Sequence, residues 1–272
     1  MNQKRYYTKQ DIFLQLEAMN APTGSVVLMH SSMRTVGNVE GGAKGLLDVM
    51  IDYFTRDGGL FCVPVHTWHN MGKEITLDMT SSDNCLGAFS TVAAEDARGL
   101  RTENPTHSMM IFGESERAKR FAAQEAQLLT PTAPESCYGK LCKEDGYVLL
   151  VGVAQSKNTY LHSVAEMLCL PNRMSDTPMM TAVKRTSGEI VRRPLTLYHT
   201  DYTSDISCRF IQYDTAFRYM RCITDGFVGD APTQLCDARR MKETVERIFA
   251  RSGGVDPLAS GEQIPPKWYC EE

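Results

Sequence analysis

The 272-residue chain is 42% apolar and 23% charged, an ordinary balance for a globular protein and enough chain for one large α/β domain or two small ones. A net charge of −4 with no Lys/Arg run offers nucleic acid no electrostatic footprint, and no apolar run approaches the roughly 20 residues a membrane span needs. The nine cysteines are scattered, with no CxxC and no zinc-ribbon spacing, and the polar first ten residues lack the apolar core of a signal peptide, so a reduced, cytoplasmic protein is expected.

Residues 8–20 read as a helix, with Thr8 as N-cap and Ile12, Leu14, Leu16 and Met19 giving a partly apolar face. A turn over 21–24 leads into a short buried strand, 25–30. Small polar residues and Gly37, Gly41 and Gly42 then open a helix over 43–54, whose apolar face carries Leu46, Leu47, Met50 and Ile51. A turn at Asp57, Gly58 and Gly59 precedes a second buried strand, 60–65. Strand–helix–strand at this spacing is a βαβ unit and argues for a parallel sheet with a right-handed crossover. Residues 66–84 are polar and irregular, a surface loop of the kind that carries chemistry at strand ends. Next come a helix over 87–98, a turn over 101–107, a strand over 108–112, a charged helix over 114–127 and a short helix over 138–143. The strongest strand, 147–153, is followed by a helix over 158–169. Residues 179–184 and 189–197 read as a hairpin around Ser187 and Gly188. A helix over 204–220, an extended segment over 227–235 and a clear helix over 237–251 complete the chain. The expected architecture is a single α/β domain with an appended α+β subdomain beginning near residue 170.

Four segments carry candidate chemistry. A buried strand ends at Gly152, a polar loop follows, and a helix then opens with His162 in its first turn. Ligands bind at the carboxyl ends of strands in open α/β sheets. The positive end of a helix dipole favours neutral imidazole, the form a general base needs. A hydrogen-bonded core histidine is the alternative. Second, His30, Ser31 and Ser32 precede a glycine-rich approach to a helix; they suit an anion, or simply cap the helix, and the spacing is neither a P-loop nor GxGxxG. Third, His66 and His69 lie three apart, but no third ligand follows at a recognisable spacing, so no metal is expected. Fourth, Asn104, Pro105, Thr106, His107 and Ser108 form a turn entering a strand; Ser108 lacks the GxSxG elbow of a hydrolase. Cys169 follows His162 by seven residues, but its flanking leucines fit a buried core thiol.

The order of these segments resembles the antibiotic N-acetyltransferase family, the aminoglycoside 3-N-acetyltransferases. Five stretches carry the resemblance: Met29–Met33 with Gly37 and Glu40–Gly42; 58–67; 101–113; 138–166 with the most specific motifs; and 228–239. Together they span roughly residues 8–250. The resemblance implies a mixed α/β sheet flanked by helices, unlike the GNAT fold. It implies acetyl-CoA as donor, a cationic small-molecule amine such as an aminoglycoside as acceptor, direct transfer, and a monomer or homodimer. It carries the catalytic base onto His162. It lays His30, Ser31, Ser32, Met33, Arg34, Thr35 and Val36 along coenzyme A, with His107 and Ser108 near the thioester and Ser108 a candidate oxyanion donor. His66, Trp68, Asn70 and Asp201 fall on the substrate side. The sequence departs from the family where a carboxylate supports the histidine: the stretch after Arg193 has none before Asp201, and a second acidic position falls near Asn70. Asp201 or Glu166 takes that role, or neutral groups orient the ring. Acceptor carboxylates would come from Glu74, Asp78, Asp83, Asp201 and Asp205. Rival readings are another small amine as acceptor, a non-catalytic coenzyme-A-binding protein, and a Ser108 hydrolase.

Overall fold

The structure, a computed structural model, describes residues 5–198 and 205–271. In chain order the first half forms β1 (Tyr6–Tyr7), α1 (Lys9–Ala18), β2 (Val26–Ser31), α2 (Met33–Val36), β3 (Asn38–Val39), α3 (Gly42–Thr55), β4 (Leu60–Pro64), β5 (Leu77–Asp78), α4 (Ala88–Glu95), β6 (Leu100–Arg101) and β7 (Met109–Gly113). The second half forms α5 (Ser115–Ala122), α6 (Cys137–Lys140), β8 (Tyr147–Val151), α7 (Tyr160–Met167), β9 (Met179–Lys184), β10 (Ile190–Leu195), α8 (Asp214–Tyr219), β11 (Ile223–Val228), β12 (Ala231–Asp237) and α9 (Ala238–Arg251).

The central sheet has seven strands in the order β11-β12-β8-β2-β4-β7-β6. The middle three, β8, β2 and β4, run parallel. The βαβ expectation describes this centre, whereas β12 and β7 join it antiparallel and make the sheet mixed. Both faces are covered, which is why these strands read as unbroken apolar runs. Val26, Leu28, Cys62, Val148 and Leu150 face one core, packed by α5 to α9. Val27, Met29, Phe61, Val63, Leu149 and Val151 face the other, packed by α1, α3 and α4. Each such side chain contributes about 1.5–3 kcal/mol on burial.

Thr8 caps α1 as expected, in a full capping box with Asp11. The 179–195 hairpin forms as read and pairs in parallel with β5 to make a separate three-stranded sheet. Residues 206–251 instead return to the central sheet: Cys236 pairs with Val148, and Phe210, Phe217, Met241 and Val245 share a core with Tyr160 and Val164. The helix expected over 204–220 is a 3-10 helix, Ile206–Tyr213, running into α8. Cys169, expected in the core, is exposed, because α7 has already ended and the backbone there turns left-handed at φ +49°.

Gly152 ends β8 with φ +62°, and a Cβ there would overlap the Oγ1 of Thr35. The absence of a side chain lets α2 lie against the end of β8. Gly152→Ala is expected to lower the unfolding free energy by about 2 kcal/mol or more, the left-handed conformation alone costing a Cβ-bearing residue about 1–2 kcal/mol. A urea titration measures the loss; an unchanged midpoint would contradict the close approach.

Candidate active site

The parallel strands β2, β4 and β8 open their carboxyl ends at one edge of the sheet. The antiparallel β7 brings its amino end to the same edge. The result is a cleft of about 380 Å³ whose lining includes His30 and Ser31 from β2, His66 after β4, His107 before β7, and Asn158, Thr159 and His162 after β8. Asp205 and Ser207 close one side. Four imidazoles from four distant stretches of sequence therefore meet in one pocket.

His30, His66 and His162 are buried and His107 is half-buried, and loss of solvent pushes each toward its neutral form. His30 is held down at about 3 and His107 at about 4, both chiefly by burial, with Asp205 working in the opposite direction at His107. His66 and His162 also lie well below the usual histidine range, through burial first and through the repulsion a second charged imidazole would bring, to which Arg173 adds at His162. The positive neighbours of His162 include Arg173, which forks onto Asp256 through two 2.6 Å contacts in the interior.

His66 Nε2 lies 2.8 Å from the hydroxyl of Tyr138, which in turn donates to the carbonyl of His107 at 3.2 Å. That donation commits the tyrosine proton, so His66 is protonated on Nε2 and leaves Nδ1 as an acceptor. Asn104 Oδ1 accepts from the backbone N–H of His107 at 3.0 Å, and Glu125 accepts from Asn104 at 2.9 Å. The turn carrying His107 is thus held from behind by a buried carboxylate. The Nε2 of His30 is buried with no hydrogen-bond partner among the described residues.

His162 sits in the first turn of α7. No group among the described residues hydrogen-bonds its ring; aromatic faces hold it instead. Tyr198 stacks on it with centroids 3.9 Å apart and planes 15° apart, and Phe210 meets it edge-on at 4.8 Å. Glu166, one turn further along α7, accepts from Thr132 at 2.5 Å and from Thr130. Burial raises its pKa, opposed by those two hydroxyls.

The other sequence candidates are spread more widely. Of the 30–36 run, only His30 and Ser31 line the cleft. Ser32 caps α2 without a side-chain bond, Met33 packs against the core, and Val36 is fully buried. Arg34 and Thr35 face outward, Thr35 donating to the carbonyl of Ser32 at 2.8 Å. Ser108 is fully buried and donates to the carbonyl of Val65 at 2.8 Å, so its proton is already engaged behind the cleft wall. Trp68 lines the cleft half-exposed. Asn70 turns away and donates to Asp83 at 2.7 Å, and His69 lies 3.2 Å from the same carboxylate, apart from His66. Of the acceptor carboxylates expected from sequence, Asp205 alone lines the cleft among the described residues. Asp201 lies outside the described residues. Among the described residues no three potential ligands cluster to hold a metal, and no helix is long and apolar enough to cross a membrane. The sequence reading missed Tyr198 and Phe210 because it searched this stretch for a carboxylate.

Residues 28–250 match the sequence profile of the family described as aminoglycoside 3-N-acetyltransferase. The chain belongs to that family, whose members are acyltransferases. Aminoglycoside N(3)-acetyltransferase IV of Salmonella sp is 25% identical over 254 residues, covering 93% of this chain and 89% of that protein. The SPbeta prophage-derived aminoglycoside N(3')-acetyltransferase-like protein YokD of Bacillus subtilis strain 168 is 25% identical over 175 residues, 57% of this chain and 63% of that one, so this match spans under two thirds of the relative. Among solved structures, a histidine-to-alanine mutant of aminoglycoside acetyltransferase AAC(3)-IVa in complex with a gentamicin superposes with a TM-score of 0.78 at 23% identity, covering 100% of this chain and 96% of that one. AAC-IIIb in a binary complex with CoASH superposes with a TM-score of 0.74 at 18% identity, over 91% and 98%. The mixed α/β sheet with flanking helices is this family's fold, as the sequence motifs implied.

Burying neutral imidazoles makes this family member acid-sensitive in a defined window. A histidine held below its unfolded pKa of about 6.5 leaves the unfolded chain binding more protons, so stability is complete above that value and falls as pH drops toward 4. Glu125 and Glu166, raised by burial, work in the opposite sense and reduce the slope. His30→Gln is expected to make the loss shallower by about 1.4 kcal/mol per pH unit, one proton's worth. Urea unfolding at pH 4.5, 5.5 and 6.5 measures both slopes; identical slopes would show that His30 titrates normally in the fold.

Proposed function

We propose that this protein transfers the acetyl group of acetyl-CoA directly to an amino group of an aminoglycoside, at the 3-amino position by family resemblance, with His162 as general base. The observation that carries the reading is His162 itself: neutral, buried, free of hydrogen bonds to its ring among the described residues, and set at the cleft where the parallel strands end. The gentamicin in the AAC(3)-IVa complex and CoASH in the AAC-IIIb complex supply the matching classes of ligand.

The residues present suit an acetyl-CoA arm. The cleft is lined by His30, with its unpartnered Nε2, and by Ser31, and carries the exposed cation Lys157, suited to a phosphate. Bound acetyl-CoA supplies an activated acyl thioester. The neutral amine attacks the acyl carbon and His162 accepts the proton its nitrogen then sheds; the thioester C–S bond breaks, and the departing coenzyme A thiolate takes that proton back from the imidazolium. Asp205 faces the cationic acceptor and orients it, which contributes through proximity. Ser108, engaged with Val65, holds the wall and leaves oxyanion stabilisation to other donors.

A second reading follows from charge. An aminoglycoside carries several ammonium groups, and charge-assisted hydrogen bonds to carboxylates are the usual means of holding them. The described lining offers Asp205 alone and includes the cation Lys157, which favours a smaller, less charged amine.

One assay addresses both. Thiol release from acetyl-CoA is measured with kanamycin, gentamicin, apramycin and a set of simple monoamines. Turnover with an aminoglycoside supports the first reading; turnover with monoamines alone supports the second, and none with any amine rejects both. His162→Ala is expected to abolish release while coenzyme A binding by calorimetry persists. Because His162 is already neutral at pH 6, the acid limb of kcat/KM is expected to follow the acceptor amine's pKa and to shift when the acceptor is changed. An inflection fixed near 6.5 for every acceptor would contradict the burial of the base.

A further inference from the structure

Among the described residues, none gives the His162 ring what a catalytic histidine usually has, a hydrogen-bonded partner that fixes it. Rotation about the last torsion of a histidine side chain is broad and roughly two-fold, so an imidazole without such a partner needs another restraint. The only groups packed flat or edge-on against this ring among the described residues are Tyr198 and Phe210. Tyr198 also meets His107 edge-on at 5.6 Å, so one phenol touches two imidazoles of the cleft.

The tyrosine is itself tethered. Its hydroxyl lies 2.6 Å from Oγ1 of Thr132, and Thr132 donates its proton to Glu166 at 2.5 Å. A threonine hydroxyl has one proton to give. With that proton on Glu166, Tyr198 is the donor in its contact with Thr132. The chain of donation runs from Tyr198 through Thr132 to Glu166, and Glu166 lies on α7, the helix that carries His162. Thr132 is fully buried and its carbonyl accepts from Ser163 Oγ at 2.6 Å, which ties the same threonine to the residue after His162. The loop is closed: helix, carboxylate, threonine, phenol, imidazole, helix.

We propose that Tyr198 is the positioning residue of His162: its ring fixes the plane of the imidazole, and its hydroxyl, anchored through Thr132 to Glu166, fixes the ring. This rests on the reading of His162 as base. As the imidazole takes up the amine proton it becomes a cation lying on a phenol face, an arrangement that attracts by cation–π interaction. A hydroxyl that donates toward a carboxylate enriches that face with electron density. Glu166 thus acts on the histidine through the tyrosine, with no hydrogen bond to it. The other charged and titratable groups facing the cleft beside the imidazole are His107, Arg173 and Asp205; of these His107, when charged, and Arg173 disfavour the cation.

The test compares Tyr198→Phe, which keeps the ring face, with Tyr198→Leu, which removes it. With an acceptor that wild type acetylates, Tyr198→Leu is expected to lower kcat about tenfold or more with KM within about twofold, and Tyr198→Phe to recover most of that loss. In proton spectra of histidine-labelled protein, the ring resonances of His162 are expected to be shifted upfield by the stacked phenol in wild type and Tyr198→Phe, and to return toward ordinary positions in Tyr198→Leu. If Tyr198→Leu does not fold, Thr132→Val cuts the tether and spares the ring; reduced kcat with unchanged KM and broadened His162 resonances then support the proposal. A Tyr198→Leu or Thr132→Val enzyme with wild-type kcat, or a Tyr198→Phe enzyme as impaired as Tyr198→Leu, overturns it. His162→Ala separates the two levels. Wild-type turnover in that variant removes the base reading. An inactive His162→Ala enzyme beside a fully active Tyr198→Leu enzyme removes the positioning role alone.

Discussion

Strands β2 and β8 run parallel with His30 opposite Leu150 and Ser31 opposite Val151, so their carboxyl ends leave the sheet side by side. The strand β4 joins the same parallel set and releases its chain at the same edge. Three loops are thereby forced together: the one into α2, the one carrying His66 and Trp68, and the one that opens α7. The antiparallel β7 adds its amino end, and with it His107. A register slip of one residue in β8 would turn Val148 and Leu150 to the opposite core and displace the start of α7. The site is a consequence of this pairing, because His30 ends a strand, His66 and His107 flank one, and His162 opens the helix after one, each strand fixed in place by burial on both faces.

That arrangement has an energetic consequence. Four imidazoles share one interior edge with few hydrogen bonds between them, and a buried polar atom without a partner costs stability. His66 is satisfied through Tyr138 and His107 through Thr106, whereas one nitrogen of His30 has no partner among the described residues and His162 relies on aromatic packing. Departures from local optimisation of this kind concentrate at functional sites. The compensation lies away from the cleft, in the two apolar cores and in the buried Arg173–Asp256 pair that ties the chain after α7 to the C-terminal segment.

Much of the fold was legible because its signals are local. Apolar runs bounded by turns placed β2, β4 and β8 within a residue or two, Thr8 marked the start of α1, and Ser187–Gly188 marked the hairpin turn. The return of residues 223–237 to the central sheet was not legible, since pairing Cys236 with Val148 joins positions far apart in sequence and nothing in the extended segment says which edge it will meet. The site divided along the same line. His162, His30 and His66 could be picked out by position at strand ends. The seven-residue run after β2 could not be resolved, because α2 turns after Ser32 and carries Arg34 and Thr35 to the surface. Ser108 sits one residue from a cleft-lining histidine, yet strand alternation points it the other way, into the carbonyl of Val65.

An aromatic restraint on His162, the proposed base, differs from a carboxylate in more than geometry. A carboxylate hydrogen-bonded to imidazole favours the charged ring and raises its pKa. A phenol face orients the ring and attracts the cation weakly, while burial, His107 and Arg173 hold the pKa down. On the proposed reading, a ring held below the usual histidine range is a weak base. A weak base does not strip a proton from an ammonium group at rest; it assists once attack on the carbonyl has begun to acidify the nitrogen. The proposed chemistry would then depend on delivering the amine already neutral and held against the acyl carbon, which shifts the burden from proton affinity to placement. Asp205 is the described cleft carboxylate able to place a neighbouring ammonium, and its charge favours the protonated form of His107. On the proposed reading, a carboxylate there grips one cationic group of the acceptor while the amine that reacts meets the neutral imidazole.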